Sequence, residues 1–368
     1  MDNPRFVDTG SSSFFGEYLY DQIVPQDHFL RQLNKIIDWD RFTRRLLKLY
    51  KGGGMVGRPP FDPAMILKME LIAYLYKLTE RQVEVYVNEN MPAKYFVGLA
   101  ADQSAPDHST LTVFRERLVK RGKQEVFEEL LQEIVQIALH KGIRFGAIQI
   151  VDSVHSIANV NTDKDQNRQG KGKGPRDPDA RWGVKHSRKV KTEDGKEEKQ
   201  IEYFYGYKAH VSLNAENGLI TSLETTSGEA PDGHHFISLV DHDLEQVLPV
   251  ETYTADKAYD DGENHYNLEV RGLHSAIRLK RTRIGKKDDA REVWLDLSQT
   301  PQYQHGLKER YKIERKFGEA KQGHGFGRCR YLGRMGFTVQ AFFTVIMLNL
   351  KRLVKLLTEV GFKTQVVA

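Results

Sequence analysis

Apolar residues in the first third of the chain recur at helical spacing. Residues 64–78 form one such run, and Asp62 with Pro63 supplies its start, because Asp can cap free amides and Pro is tolerated in the first helical turn. A second helix is expected to begin at Thr79, which opens a capping box. The pattern predicts an all-α domain over residues 1–140.

The last predicted helix of this region begins near Ser109 and is basic. Its cationic side chains are Arg115, Arg117, Lys120 and Arg121. Short helices joined by tight turns, with a basic final helix, are typical of helix-turn-helix DNA-binding domains. A helical packing or dimerisation domain would show the same pattern. The sequence therefore favours a helix-turn-helix-like, DNA-binding domain and leaves the second interpretation open.

From Phe145 the pattern changes to short runs that are typical of strands. The runs, in order, predict a buried strand, a hairpin, a helix, two strands and a helix, over residues 145–152, 200–227, 233–248, 250–256, 275–280 and 307–321. This order predicts an α/β domain of the ribonuclease H type over residues 141–335. Residues 163–199 are poor in apolar side chains and predict a mobile basic insertion. Residues 336–368 predict a C-terminal helix that packs on the catalytic domain.

Composition narrows the class of protein. The 368 residues include 39% hydrophobic and 29% charged residues, which is ordinary for a soluble protein. A single cysteine, Cys329, excludes an internal disulfide and a thiolate cluster. The most apolar stretch, residues 337–348, is shorter than the roughly 20 residues that cross a bilayer. The first residues lack the pattern of a secretory signal, so we expect a cytoplasmic protein with no membrane contact.

The formal net charge of +5 is modest, but the basic residues are clustered. Three blocks stand out, at residues 164–191, 278–287 and 308–334. Nucleic-acid-binding proteins concentrate Lys and Arg where phosphates lie, although a single basic run is more often a solvated loop. The third block is interleaved with acidic residues and is the most informative of the three.

Carboxylates occur where the predicted strands end. Asp152 ends the first strand and Asp256 ends a later one, and Glu314 lies in the last helix of the domain. Neighbouring strands would bring the two aspartates side by side. Phosphodiester chemistry is served by paired divalent ions, and Mg²⁺ prefers carboxylate oxygens as ligands. Each carboxylate alone could be a surface charge, but their common context favours a metal site.

The helix that carries Glu314 gives the most specific pattern. At about 100° per residue, Arg310, Glu314 and Lys321 project at about 0°, 40° and 20°, along one edge. An intrahelical ion pair between Arg310 and Glu314 would account for two of them but leaves Lys321 unexplained. The edge therefore presents a carboxylate between two cations.

Three segments together carry a family resemblance. They are VDSVHSIANV around Asp152, YTADKAYDD around Asp256 and RYKIERKFGEAKQGHGFGRCRYLG around Glu314. They resemble the catalytic segments of DDE transposases of bacterial insertion sequences, in the group with a Tyr-x2-Arg-x3-Glu-x6-Lys signature. Leu307 stands at the tyrosine position of that signature. Residues 57–99 resemble the N-terminal helical domain of these transposases.

The resemblance implies a DNA transposase that cleaves transposon ends and joins them to target DNA. On the matching positions, Asp152, Asp256 and Glu314 would bind Mg²⁺, for which Mn²⁺ would substitute, and no other cofactor is implied. Arg310 and Lys321 would contact DNA near the cut. The implied partners are the terminal inverted repeats, target DNA and a second copy of the chain, and the location is the bacterial nucleoid.

Two other functions fit parts of the pattern. A DNA-binding regulator derived from a transposase would have lost catalysis, and a metal-dependent nuclease of similar fold would cut DNA without joining it. Asp232 could be an accessory acidic residue or a helix cap. The adjacent His234 and His235 would point in different directions on a helix, so we do not expect a histidine metal site.

Overall fold

The described part of the chain folds into two units that differ in secondary structure. The computed structural model describes residues 6–9, 14–191, 197–285 and 290–362. Contacts group residues 1–138 and 343–368 into one unit, which we call the helical unit, and residues 139–342 into another, the sheet unit. Residues 192–196 of the predicted insertion, and Lys286 and Lys287 of the second basic block, lie outside the described residues.

The helical unit is built of helices whose starts were predictable. Its helices are α1 (Phe14–Ile23), α2 (Phe29–Ile36), α3 (Trp39–Leu47), α4 (Pro63–Leu75), α5 (Glu80–Glu89), α6 (Met91–Val97), α7 (His108–Arg117) and most of α8 (Lys123–His140). Asp62 caps α4 by accepting from the Ala64 amide. Thr79 and Gln82 form the expected capping box at α5. The prediction of an all-helical N-terminal region is confirmed.

Helix α4 lies at the centre of this unit, and a buried carboxylate on it pairs with one of the basic residues of α7. Every residue of α4 except Lys68 is buried, including Glu70. Arg115 of α7 lies 3.6 Å from Glu70 and also pairs with Glu80. A buried carboxylate requires such a cation, so Arg115 stabilises the core and is not free to contact DNA.

The sheet unit contains a mixed sheet of six strands. They are β1 (Ile148–Ile157), β2 (Arg181–Lys191), β3 (Glu197–Asn214), β4 (Ile220–Ser227), β5 (Thr252–Ala255) and β6 (His274–Ile277). Strands β4, β3 and β1 are antiparallel neighbours, and β1, β5 and β6 are parallel neighbours. The resulting order β4-β3-β1-β5-β6 is that of a ribonuclease H-like sheet, as predicted, with β2 added on the outer half of β3.

Helices cover this sheet and connect its strands. They are α9 (Thr162–Gln169), α10 (Phe236–Glu245), α11 (Gly262–Val270), α12 (Arg281–Gly285), α13 (Ala290–Gln299), α14 (Pro301–Glu309), α15 (Tyr311–His324) and the first part of α16 (Arg334–Thr358). Within the described residues, no helix is long and apolar enough to cross a membrane.

The predicted mobile insertion at residues 163–199 differs from the structure. Helix α9 and strand β2 occupy much of it, and β2 pairs with β3 from Arg181 opposite Gly206 to Lys191 opposite Glu197. The side chains of Trp182 and Val184 are exposed on β2. Among its described side chains, β2 alternates exposed Trp182 and Val184 with buried Gly183, and this run is too short to predict a strand from the sequence.

Leu307, which stands at the tyrosine position of the signature, packs against the sheet unit's core. It lies on α14 against a buried cluster of Ala276, Leu279 and Tyr303. The neighbouring Gly306 lets α14 approach closely, since an added Cβ would lie 2.6 Å from the Ala276 Cβ. Leu307 therefore serves packing in this chain, and its replacement of the tyrosine costs no polar partner inside the core.

The C-terminal segment also differs from the prediction, which placed residues 336–368 on the catalytic domain. The residues of α16 up to Phe342 belong to the sheet unit, where Phe337 stacks on Tyr207, with ring centroids 5.2 Å apart. From Phe343 onward they belong to the helical unit, where Phe343 contacts Tyr74 and Phe127. A helix that is apolar on all sides cannot be assigned to one partner from its sequence.

A buried carboxylate lies beneath the sheet at Asp243 on α10. Its Oδ2 accepts hydrogen bonds from Ser212 Oγ at 2.6 Å, Gln149 Nε2 at 3.2 Å and Tyr253 Oη at 3.3 Å. Burial raises the pKa of Asp243 to about 6, against the lowering effect of these hydrogen bonds. The ionised form is therefore costly in the folded protein at neutral pH.

We expect Asp243→Asn to change the pH dependence of stability. The folded pKa lies above the unfolded one, so stability from this group is full below about pH 4 and is lost as pH rises through about 6. The free energy of unfolding of wild type, relative to Asp243→Asn, should fall by about 2 to 3 kcal/mol between roughly pH 4.5 and 7. Urea unfolding followed by circular dichroism measures this. The exposed Glu245→Gln of the same helix is the control, and a flat difference would contradict the prediction.

Candidate active site

Two aspartates lie next to each other where β1 and β5 run in parallel. Val151 pairs with Ala255, so the next residues along the two strands are Asp152 and Asp256. Asp256 directly follows β5, whereas β1 continues past Asp152 to Ile157. The expectation that Asp152 ends its strand is therefore wrong. Beyond Asp152, β1 keeps its antiparallel partner β3 after its parallel partner has ended.

Asp152 is held in a partly buried position. Its Oδ1 accepts from the Ser153 amide at 2.8 Å, and its Oδ2 lies 3.5 Å from Arg310 Nη2. The pKa of Asp152 is raised to about 7, mainly by burial and to a smaller extent by the neighbouring Asp256 and Asp232, while the Ser153 amide and Arg310 act to lower it. The ionised form of Asp152 is therefore costly, and a bound cation would lower that cost.

Asp256 begins a tight turn that carries a buried tyrosine. Its Oδ1 accepts from the Ala258 amide at 2.6 Å, which fixes the carboxylate at the end of β5. Tyr259 is fully buried, and its pKa is raised well above the usual value by burial and then by Asp152, Asp232 and Asp256. Its hydroxyl therefore stays protonated beside the three carboxylates.

Asp232 belongs to the site and does not cap a helix. It lies within a 3-10 turn whose cap is Pro231, and its carboxylate receives Lys208 Nζ at 2.9 Å. Of the two roles that the sequence allows for Asp232, the structure excludes the helix cap. Lys208 was missed because no local pattern marks it: polar and charged residues such as Glu202 and His210 lie on either side of it in β3.

Two histidines stack behind Asp232. The rings of His210 and His235 are 4.5 Å apart, His210 Nε2 contacts Thr226 Oγ1 at 2.9 Å, and His235 Nδ1 contacts Glu224 Oε1 at 2.9 Å. Burial, and then His235, lowers the pKa of His210 to about 4, so its ring is neutral. These contacts support the turn that carries Asp232.

Helix α15 carries the remaining predicted residues. The predicted helix over residues 307–321 is divided at Arg310, which lies between α14 and α15. The backbone of Arg310 keeps helical φ and ψ of −55° and −31°. The Ile313 amide donates to the Arg310 carbonyl, three residues earlier, as in a 3-10 helix. Arg310 reaches Asp152, as described above. Glu314 follows one turn later and is exposed, and among the described residues no hydrogen bond or ion pair joins it to either aspartate.

Lys321 lies two turns beyond Glu314 on α15 and is half-buried. Burial, and then the nearby Lys185, lowers the pKa of Lys321. Within the described part of the chain it forms no ion pair. A cation in such a position is suited to bind an anion such as a phosphate.

The donor set at the aspartates fits a divalent cation. Asp152, Asp256 and Asp232 offer hard carboxylate oxygens, and burial leaves their repulsion incompletely compensated. A second group of possible ligands, Glu84, Asp107 and His108, lies in the helical unit. Glu84 accepts from the His108 amide and Asp107 caps α7, so these side chains already serve the start of that helix.

Two family models match the chain. The model described as "Transposase domain (DUF772)" matches residues 18–117, and that described as "Transposase DDE domain" matches residues 160–350. The second match includes Asp256 and Glu314 and begins after Asp152. A solved structure, "Mos1 transposase paired-end complex with left transposon end", is similar at 9% identity over 74% of this chain and 82% of that chain. Its TM-score is 0.20, and this likeness carries no argument.

Asp152→Asn should stabilise the protein when no divalent cation is present. The substitution removes a charge that Asp256 and Asp232 repel, and we expect the free energy of unfolding to rise by roughly 1 to 3 kcal/mol near neutral pH. Excess Mg²⁺ should stabilise wild type and leave Asp152→Asn nearly unchanged, because only the folded site binds the ion.

Urea unfolding with EDTA and with MgCl₂ measures both effects. Asp163→Asn removes an exposed carboxylate from α9 and is the matched control, which should respond to Mg²⁺ as wild type does. Equal stabilisation of Asp152→Asn and wild type by Mg²⁺ would show that Asp152 is not part of the cation site.

Proposed function

The chain belongs to the transposase DDE domain family, and from that premise we propose that Asp152, Asp256 and Glu314 are the carboxylates at which it cleaves and joins DNA. Transposases of this family catalyse DNA cleavage and strand transfer with divalent metal ions, and this chain is such an enzyme. The assignment of the three residues and of the ion is our own.

The parallel pairing of β1 with β5 is the observation that carries the assignment. It sets Asp152 and Asp256 on adjacent strands of a rigid sheet, and their mutual repulsion contributes to the raised pKa of Asp152. Carboxylates whose positions are fixed by a sheet before any ligand arrives are suited to bind a metal without reorganisation. A regulator that had lost catalysis would have no need of this costly arrangement.

We assign Mg²⁺ as the ion, with Mn²⁺ as a substitute. Asp152 and Asp256 would hold it, and Glu314 would complete the set from α15. When bound, such ions activate an oxygen nucleophile and stabilise the leaving oxygen. Oxygen donors of this kind favour Mg²⁺ and Mn²⁺ over Zn²⁺.

The cations around the aspartates would orient the site and the DNA. Arg310 holds Asp152 through Nη2, and its buried Nε has no hydrogen-bond partner among the described residues. We propose that Arg310 bridges Asp152 and a phosphate near the cut. Lys208 holds Asp232 in its turn, so that this carboxylate stays close to Asp152 without adding a full uncompensated charge.

We propose that the helical unit binds the terminal inverted repeats and that two copies of the chain act together, since transposition requires both ends. The buried ion pairs of Arg115 exclude it from this contact, whereas Lys120 and Arg121 are exposed beyond the end of α7. The division into a DNA-binding domain that ends at residue 140 and a catalytic domain that ends at residue 335 remains a prediction. The bacterial nucleoid remains the expected location.

Asp152→Asn, Asp256→Asn and Glu314→Gln should each abolish cleavage of transposon ends. Binding of the ends should stay within a few-fold of wild type, because phosphate contacts by Lys and Arg supply most of the affinity. Cleavage of labelled ends and gel-shift assays on the same proteins test this. Asp163→Asn, which removes an exposed carboxylate of α9, is the control.

If one of the three variants cleaves at near wild-type rate, the residue that it replaces is not a metal ligand. Supplying pre-cut ends with a target plasmid separates joining from cutting. Joined products are expected, and nicking alone would indicate a nuclease.

Lys321→Ala should keep metal binding and lose much of both cleavage and end binding. A lysine cannot coordinate Mg²⁺, so its half-buried ammonium group would hold a DNA phosphate next to the cut. Lys321→Arg should restore part of the binding because the charge is kept. The measurements are stabilisation by Mg²⁺, end binding and cleavage as Mg²⁺ is titrated. Full rescue of Lys321→Ala by excess Mg²⁺ would contradict a DNA contact.

A further inference from the structure

A cleft of about 880 Å³ opens beside Asp256 and is dominated by cations. One wall is the turn Asp256–Ala258 and the other is the segment Arg278–Thr282. Four of the lining residues are basic, and all four are exposed: Lys257, Arg278, Lys280 and Arg281. Asp256 is the single carboxylate of the lining, so the cleft begins at the proposed metal site and becomes positive away from it.

Buried contacts hold the two walls together. Asp260, which follows the turn, has a buried carboxylate that accepts from the Lys280 amide at 2.7 Å and from Arg283 Nε at 2.5 Å. His265 Nε2 lies 3.0 Å from the same carboxylate, and Lys280 Nζ donates to Asp260 O at 2.8 Å. The basic wall is therefore fixed relative to Asp256.

The contacts divide the basic residues into two roles. Arg283 is engaged by Asp260 and by the ring of Trp294, 4.6 Å away, and therefore maintains the wall. Lys257, Arg278 and Arg281 form no ion pair within the described ranges, and their side chains are exposed. Charged groups left free on a fixed wall can bind anions without first breaking an internal contact.

We propose that this cleft binds the phosphodiester backbone of DNA that lies outside the transposon, which is the flank before cleavage and the target during strand transfer. The proposal rests on the metal site proposed above. Phosphate contacts from Lys and Arg carry no sequence information, and the four cations of the lining suit such contacts. Such a surface suits DNA whose sequence changes from one insertion site to the next, whereas the transposon ends are constant.

The test uses the full-length chain with the double variant Arg278→Ala/Arg281→Ala. Its binding is measured by gel shift, without divalent ions, on an end that carries flanking DNA and on a pre-cut end that lacks it. We expect roughly ten-fold weaker binding of the flanked end and a salt dependence reduced by about two phosphate contacts. Binding of the pre-cut end should be unchanged, and strand transfer from it should require more target DNA.

Two further variants complete the design. Arg278→Lys/Arg281→Lys keeps both charges and should retain most of the binding of the flanked end. Lys141→Ala/Arg144→Ala removes two exposed cations that precede β1, at the opposite end of the parallel strands, and should leave the binding of every DNA unchanged.

Three outcomes are decisive. Loss confined to the flanked end and to strand transfer supports the proposal. Equal weakening of the flanked and pre-cut ends would place transposon DNA in the cleft, and unchanged binding of both would exclude DNA from it; either result overturns the proposal. These binding measurements do not depend on chemistry, so a failure of the assignment of Asp152, Asp256 and Glu314 would appear separately, in the cleavage assays.

Discussion

The pairing of β1 with β5 imposes the constraint on which the sheet unit depends, because it places two carboxylates on adjacent strands in a partly buried environment. Burial disfavours ionisation of Asp152, and the neighbouring Asp256 and Asp232 add to that effect. The rest of the unit must supply the stability that this arrangement loses. Close packing contributes to it where Gly306 lets α14 approach β6, whereas the buried Asp243 beneath the sheet adds another carboxylate whose ionisation is costly.

The charges around the aspartates form an ordered arrangement. Arg310 lies on the α15 side and Lys208 lies on the side of Asp232, and both are engaged with carboxylates. On the far side of Asp256, contacts with Asp260 hold the wall of the cleft in place. The cationic side chains on that wall remain exposed. The inner cations thus compensate the site, whereas the outer ones are available for a polyanion such as DNA.

Much of this organisation could be predicted, and the failures have physical reasons. Asp62 and Thr79 gave correct helix starts because capping is a local interaction. The proximity of Asp152 and Asp256 was predictable because adjacent strands of such a sheet set corresponding residues side by side, although Asp152 does not end its strand. Strand β2 was not, because its alternating apolar residues Trp182 and Val184 are followed at once by the polar residues 185–189. The contact of Lys208 with Asp232 joins residues 24 positions apart through the fold, so nothing local indicates it.

Glu314 is exposed, whereas Asp152 and Asp256 are partly buried. Asp152 already shares its field with Asp256 and Asp232, and a fourth carboxylate brought in without a cation would raise the cost of ionisation further. Glu314 instead extends into solvent from the first turn of α15, where the helix dipole favours a negative charge. We infer that the metal supplies the attraction that brings Glu314 to the aspartates. The site would then be completed by its ligand, while α15 and the sheet keep the positions they already have.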